Sequence, residues 1–354
     1  MRHLCLILLT GLLAACGSST SNRSYDFSAL DAKLDSYLSA NGGPVAGYAF
    51  ALVDRDGLLH TRAGGDKTLY STPSLASASK MPAAAAILTL VDQQKLDLDT
   101  PVKQYIDAAG DPINWPNDKA AITMRMLLSH TSGLPGLGND SPQCLDQVLS
   151  LTLQQCAQII ANTVLAAQPG SAFIYGGADY QVAGYIATLI SGENWQTFFS
   201  AAITTPLGLS SFTYGNPDTV TNPRIAGGAV ANVRDYAKLL RMVLGGGAVD
   251  GRRVLSSGST QLLTTDLIAD LPVLFRPEGL SSDYPGYGLG MWLSDPSLHP
   301  GSNGPEWSDP GLSGATPWVD FDIAYGAVIL IDEGTQTGID MWNDARPLII
   351  AKLK

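Results

Sequence analysis

Strand-forming runs stand at the two ends of this chain and helical ones lie between them, a distribution that limits the fold more than any single residue does. Residues 46–53 are almost continuously apolar, Asp56-Gly57 offers a tight turn, and residues 58–62 complete a hairpin of a buried sheet. Strand-like runs return only at residues 287–293, 315–321 and 323–332. Between about residues 100 and 279, helical segments such as 178–190 and 233–244 alternate with Gly/Pro-rich loops. The pattern predicts an α/β (α+β) fold. An antiparallel sheet is built from the N- and C-terminal segments and flanked by helices, with a mainly helical subdomain inserted. Flanking helices are expected at 27–40, where Leu30, Leu34 and Leu38 recur every fourth residue, and at 339–353. A cleft between sheet and subdomain is where a site is expected.

The first residues read as an export signal. Arg2 precedes an apolar run over 4–13, too short to span a bilayer, which ends in Ala14 and Ala15 before Cys16. Leu13-Ala14-Ala15-Cys16 resembles the lipobox of bacterial lipoproteins, which implies a leader over 1–15, lipid on Cys16 and a polar tether over 16–25, leaving one folded domain over 26–354. The expected location is therefore membrane-anchored, facing the periplasm or the cell exterior. A net charge of -11 repels phosphate backbones, so nucleic acid is not an expected partner. Cys144 and Cys156 could form one short-loop disulfide in an oxidising compartment or remain two buried thiols. His3, His60, His130 and His299 have no ligand spacing with a Cys or carboxylate, and neither metal nor cofactor is expected.

Chemistry concentrates at Ser77-Ala78-Ser79-Lys80, at the start of an Ala- and Leu-rich helix expected over 77–94. Positions three apart share a helix face, so the Ser77 hydroxyl and the Lys80 amine project into one space. A serine hydroxyl is a poor nucleophile until a neighbour takes its proton. Lysine can do so only while neutral, a state favoured by desolvation and by the positive end of a helix.

The surroundings of this motif, Leu75-Ala76-Ser77-Ala78-Ser79-Lys80-Met81 between a hairpin and a helix, resemble the serine penicillin-recognising enzymes and β-lactamases, most closely the class C-like esterase and D,D-peptidase branch. Residues 127–135, Pro169-Gly170 with 173–177, 206–209, Ala226-Gly227-Gly228 and 287–290 match that branch in order. The resemblance implies that Tyr175 faces Ser77 and shares a proton with Lys80. It also implies a third motif at Asp309-Pro310-Gly311, with the Ser77 and Leu312 N–H groups as an oxyanion hole. Two departures bear on the substrate pocket: Gly177 replaces the residue with which relatives hold a substrate amide, and Asp309 stands where relatives offer Lys or His. A carboxylate facing the pocket there is expected to repel the anion of a β-lactam.

The expected function is serine hydrolysis through a Ser77 acyl-enzyme, acting on a small-molecule ester or envelope-derived substrate. The alternatives are D,D-peptidase or penicillin-binding activity, weak β-lactamase activity, and a catalytically lapsed envelope-binding protein. His130 reads as a structural helix-end residue bonded to loop backbone rather than a triad member. Trp292, Trp307, Trp318 and Tyr284 could line an apolar pocket or belong to the core.

Overall fold

The computed structural model describes residues 25–138, 141–277, 279–280, 283–295, 297 and 301–354. The leader, Cys16 and His299 lie outside the described residues. Seven strands make one antiparallel sheet: β1 (Gly47–Asp54), β2 (Leu58–Gly65), β3 (Gly286–Tyr287), β4 (Trp292–Leu293), β5 (Glu306–Ser308), β6 (Thr316–Asp320) and β7 (Tyr325–Leu330). Their spatial order is β2-β1-β7-β6-β5-β4-β3. The two ends of the chain meet where β1 pairs with β7, in a register running from Ala49 opposite Leu330 to Asp54 opposite Tyr325.

Alternation along β1 explains the layers on either side. Tyr48, Phe50 and Leu52 project to one face and Ala49, Ala51 and Val53 to the other, and all six are buried. The large side chains pack with α1 (Ser28–Asp35) and α5 (Thr335–Leu353). On the small-residue face, α4 (Val233–Leu244) lies against β1 and β7. The same core cluster holds α2 (Lys80–Asp92) and α3 (Ala178–Ser191), which pack against each other. From Lys80 to Leu90 every residue of α2 is buried, as a helix without a solvent face must be. The tight turn of the hairpin is held by Asp54, whose Oδ1 accepts the N–H groups of Asp56 and Gly57 at 2.8 Å each.

Several elements differ from the sequence expectation. The first helix ends at Asp35 rather than residue 40, because Leu38 leaves it to bridge Val45. The run 287–293 forms two short strands instead of one. Gly290, at φ +90°, turns between them and lies so close to the start of α2 that a Cβ would come within 2.9 Å of the Met81 backbone. The last helix begins at Thr335.

Strand β5 is absent from the sequence reading because Glu306 looks like a surface residue. Here it is fully buried and paired with the equally buried Arg346 of α5. The Tyr325 hydroxyl donates to its Oε1 at 3.1 Å and in turn accepts the Trp318 indole N–H at 3.1 Å. Burial pushes the Glu306 carboxyl up to about 7 against the pull of Arg346. Cys144 and Cys156 are disulfide-bonded with Cα atoms 5.3 Å apart, which ties the turn Gln143–Asp146 to the helix Leu153–Ala161. Among the described residues no helix is long and apolar enough to cross a membrane.

Removing one member of the buried pair strands the other. Arg346→Met is expected to lower the unfolding free energy by about 3 to 5 kcal/mol, and the double variant Glu306→Gln/Arg346→Met by clearly less. A urea-denaturation double-mutant cycle measures the difference.

Candidate active site

The approach to Ser77 is strained and clamped. Ala76 occupies the left-handed region at φ +44°, unusual for a residue with a Cβ. It opens a 3-10 turn, Ala76–Ser79, that runs directly into α2. Neighbouring segments hold the turn from three sides. The Leu75 N–H donates to Ala229 O at 2.9 Å, and the Tyr236 and Tyr214 hydroxyls donate to Ala78 O and Ser79 O at 2.8 Å each. Ser79 Oγ accepts the Ala229 N–H at 3.1 Å. With three residues per turn, positions i and i+3 eclipse. Lys80 Nζ accordingly donates to Ser77 Oγ at 3.1 Å. Ser77 is partly exposed, whereas Lys80 is only 3% exposed.

Few groups replace the water that Lys80 has lost. Its Nζ donates to Ala226 O at 2.9 Å, and it stands 4.6 Å from the Tyr175 ring centre and 5.9 Å from that of Tyr180. The Ala226 carbonyl is presented by a tight turn in which the N–H groups of Gly227 and Gly228 both donate to Arg224 O. Burial lowers the Lys80 pKa to about 8. Asp309 and Asp179 oppose that fall and Arg224 assists it. An amine so poised is neutral in a useful fraction near physiological pH.

Tyr175 lies beside this pair, in the segment after the two-residue strand Phe173–Ile174, packed against His130, Tyr287 and Trp292. It meets Lys80 with its ring face. Its hydroxyl makes no well-formed hydrogen bond, although Ser77 and the Trp292 indole lie close enough to favour its ionised form. Burial dominates and holds the phenol well above its ordinary pKa. His130 forms no triad. It is the left-handed residue after the helix Met124–Leu128, and its main-chain O accepts the Ile174 N–H at 2.9 Å. Its ring, expected against backbone, faces a carboxylate instead: Nδ1 lies 3.0 Å from Asp179 Oδ2, while Ser132 Oγ donates to Asp179 Oδ1. Burial keeps His130 neutral, driving its pKa well down, and raises that of Asp179.

A cavity of about 530 Å³ opens above Ser77, with Lys80, Tyr175 and Gly177 in its wall. Its apolar lining comes from Leu137, Leu145, Phe275, Leu280 and the 77% exposed Leu312. The four aromatics left open by the sequence belong to the core: Trp292, Trp307, Trp318 and Tyr284 are buried and none lines the cavity. Arg224 and Asp146 pair across the rim at 3.0 Å and were not singled out by the sequence, in which no spacing connects them. Gly177 borders the cavity as expected, with Leu145 over it, since a Cβ at that position would lie 2.9 Å from Leu145 Cδ1. Asp309 departs from expectation. It does not face a substrate but is fully buried below the cavity, where its Oδ2 accepts the Met81 N–H at 3.1 Å. Gly311 also stays out of the lining, because it presses on the chain before Ser77: a Cβ would lie 2.2 Å from Leu75 O.

Comparison with known proteins bears on the family and the fold. The family model described as Beta-lactamase matches residues 33–344. The chain belongs to the beta-lactamase family. Within this serine hydrolase family it is 33% identical over 170 residues to a putative D-alanyl-D-alanine carboxypeptidase of Escherichia coli K12, covering 45% of this chain and 35% of that one. The chain thus spans about a third of the length of that curated relative. It is 26% identical to penicillin-binding protein 4 of Amycolatopsis lactamdurans, covering 71% of each chain. Among solved structures, a putative beta-lactamase from Bacteroides dorei DSM 17855 superposes with TM-score 0.76 at 26% identity, over 92% of this chain and 99% of that one. EstCE1, a hydrolase with promiscuous acyltransferase activity, shares the fold at TM-score 0.74 and 19% identity, over 91% and 98% of the two chains.

Because Gly311 touches the Leu75 carbonyl two residues before Ser77, Gly311→Ala must displace one of the two segments. An overpacking cost of about 1 to 3 kcal/mol is expected in chemical denaturation. The rate of Ser77 labelling by an active-site probe is expected to fall at temperatures where the variant is fully folded.

Proposed function

We propose that this family member is a carboxylic ester hydrolase that works through an acyl-enzyme on Ser77. One observation carries the reading: a partly exposed serine hydroxyl, 3.1 Å from a buried lysine amine, at the floor of an apolar cavity. Ser77 Oγ attacks the ester carbonyl carbon as its proton passes to neutral Lys80. The oxyanion is held by the N–H groups of Ser77 and Leu312, the latter on the loop that Gly311 brings against the serine. Collapse of the tetrahedral intermediate expels the alkoxide, which takes the proton from the Lys80 ammonium, and the Tyr175 hydroxyl, near Ser77 rather than on the amine, is the group placed to assist that transfer. Water then attacks the acyl carbon by the same route in reverse and releases the acid.

An ester is favoured over an amide by the wall at Gly177. Leu145 fills the space next to it with methyl groups, and among the described residues no side-chain amide lines the cavity to hold a peptide. The D,D-peptidase alternative draws on the similarity to the carboxypeptidase and penicillin-binding relatives, but among the described residues no basic third-motif group lines the cavity to receive a terminal carboxylate.

A fluorophosphonate probe is expected to label Ser77, and Ser77→Ala to abolish turnover of p-nitrophenyl butyrate. kcat/KM should rise as pH passes through the lowered lysine pKa of about 8, since the base works only when deprotonated. Absence of labelling in folded protein would remove the reading, and stable acylation by a fluorescent penicillin would favour the peptidase instead.

The same proposal places the enzyme on a membrane through lipid on Cys16. In a bacterial host, metabolic palmitate labelling of the full chain is expected to be lost in Cys16→Ser, with release of the protein from the membrane fraction. Equal labelling of both forms would refute the tether.

A further inference from the structure

We propose that Asp309 is a positioning residue for the reaction: its carboxylate holds the first turn of α2, which carries Lys80, and acts as the internal counter-charge of the Lys80 ammonium. The inference rests on reading Ser77 and Lys80 as the reacting pair.

Three observations support it. Asp309 is fully buried, so its charge finds no relief in water. Its Oδ2 accepts the Met81 N–H at 3.1 Å, and the Lys80 N–H adds to the stabilisation of its ionised form, so the carboxylate caps the helix end where unpaired N–H groups and the positive end of the dipole lie. Its Oδ1 has no hydrogen-bond partner among the described residues, which leaves half of the group's charge to be answered through space. Of the charges that could answer it, Lys80 pulls hardest: burial raises the Asp309 pKa, and the ammonium is the largest influence opposing that rise.

The other titratable groups around this centre leave the pairing to these two. Tyr175 after the Phe173–Ile174 strand, Tyr180 on α3, Tyr214, Tyr236 on α4 and Tyr287 on β3 are all held neutral, their pKa values raised by burial and further by Asp309 itself. His130 is neutral by burial. Asp179 is a carboxyl with a raised pKa that is bonded to Ser132 and His130. Arg224 at the rim is paired with Asp146. An ionised Asp309 therefore stabilises protonated Lys80 and keeps the base occupied to higher pH. It also stabilises the ammonium that forms as Ser77 gives up its proton.

Asp309→Asn removes the charge and keeps an oxygen that can accept the Met81 N–H. The lysine then faces burial and Arg224 with less opposition, so its pKa falls. The acid limb of kcat/KM for a neutral nitrophenyl ester is expected to move to lower pH by about one unit or more. A limb that stays in place while turnover or Tm drops would overturn the proposal, because a purely structural carboxylate predicts that pattern. Should the variant fail to fold, wild-type protein carrying carbon-13 at the lysine ε-carbon and the aspartate carboxyl provides a second measurement. The Lys80 and Asp309 signals are expected to inflect over a shared pH range. Independent inflections would refute the coupling. This readout needs no turnover, so a protein that hydrolyses no ester would fail the functional reading without deciding the role of Asp309.

Discussion

A lysine ammonium has been taken almost wholly out of water, and much of the architecture around the cavity answers that fact. Desolvating such a charge costs several kcal/mol even after relaxation, so the site must either compensate it or let the proton go. Lys80 receives partial compensation: one carbonyl from a glycine-rich turn, one serine hydroxyl, two tyrosine ring faces and a carboxylate without direct contact. The shortfall lowers its pKa, and the same shortfall makes it a base. The Ala226 turn, the packing of Tyr175 and Tyr180, and the clamps from Tyr214 and Tyr236 all serve to keep that incomplete environment in place.

The contrast with Glu306 and Arg346 is instructive. That acid and base, also buried, are in direct contact and share a network with Tyr325 and Trp318. They join β5 to α5 on the sheet face opposite α4, away from the cavity lining. Asp179 is similarly engaged by Ser132 and His130. Asp309 is held by main-chain N–H groups at the start of α2, and its second oxygen has no partner among the described residues. The degree of compensation separates a charge that fastens secondary structure from one free to respond to a proton moving nearby.

Much of this could be read in the amino-acid order. The hairpin, the sequence-distant closure of the sheet and the helices over 178–191 and 233–244 follow from apolar periodicity, and Ser77 with Lys80 follows from helical spacing. What stayed hidden depends on burial that composition cannot signal. Glu306 masked a strand because a carboxylate in a short polar stretch reads as surface. Asp309 was placed in the pocket because the resemblance put it at the third-motif position from which relatives address a substrate, yet a place in a motif does not fix where a side chain points, and here it turns inward to the Met81 N–H. Whether Trp292, Trp307, Trp318 and Tyr284 lined a pocket or filled the core stayed open in the sequence, because the type of an aromatic residue does not say which surface buries it; all four are in the core. The leucines that line the cavity, at 137, 145, 280 and 312, come from irregular connections and a single helical turn, and no periodicity connects them.

The inward turn of Asp309 also changes how substrate selectivity should be understood. With the carboxylate facing the cavity, anionic substrates would be rejected by repulsion. With it buried, the cavity neither repels nor specifically receives them: the rim carries the Arg224 and Asp146 pair, nearly neutral in sum, above a wall of Leu137, Leu145, Phe275, Leu280 and Leu312. Discrimination then passes from charge to desolvation. An apolar acyl or alkyl group gains about 25 cal/mol for each Å² it buries, while a carboxylate entering the same space must shed water with no dedicated partner. On the proposed reading, a neutral, apolar ester is the substrate that such a wall would reward, since it buries apolar surface and brings no charge to desolvate.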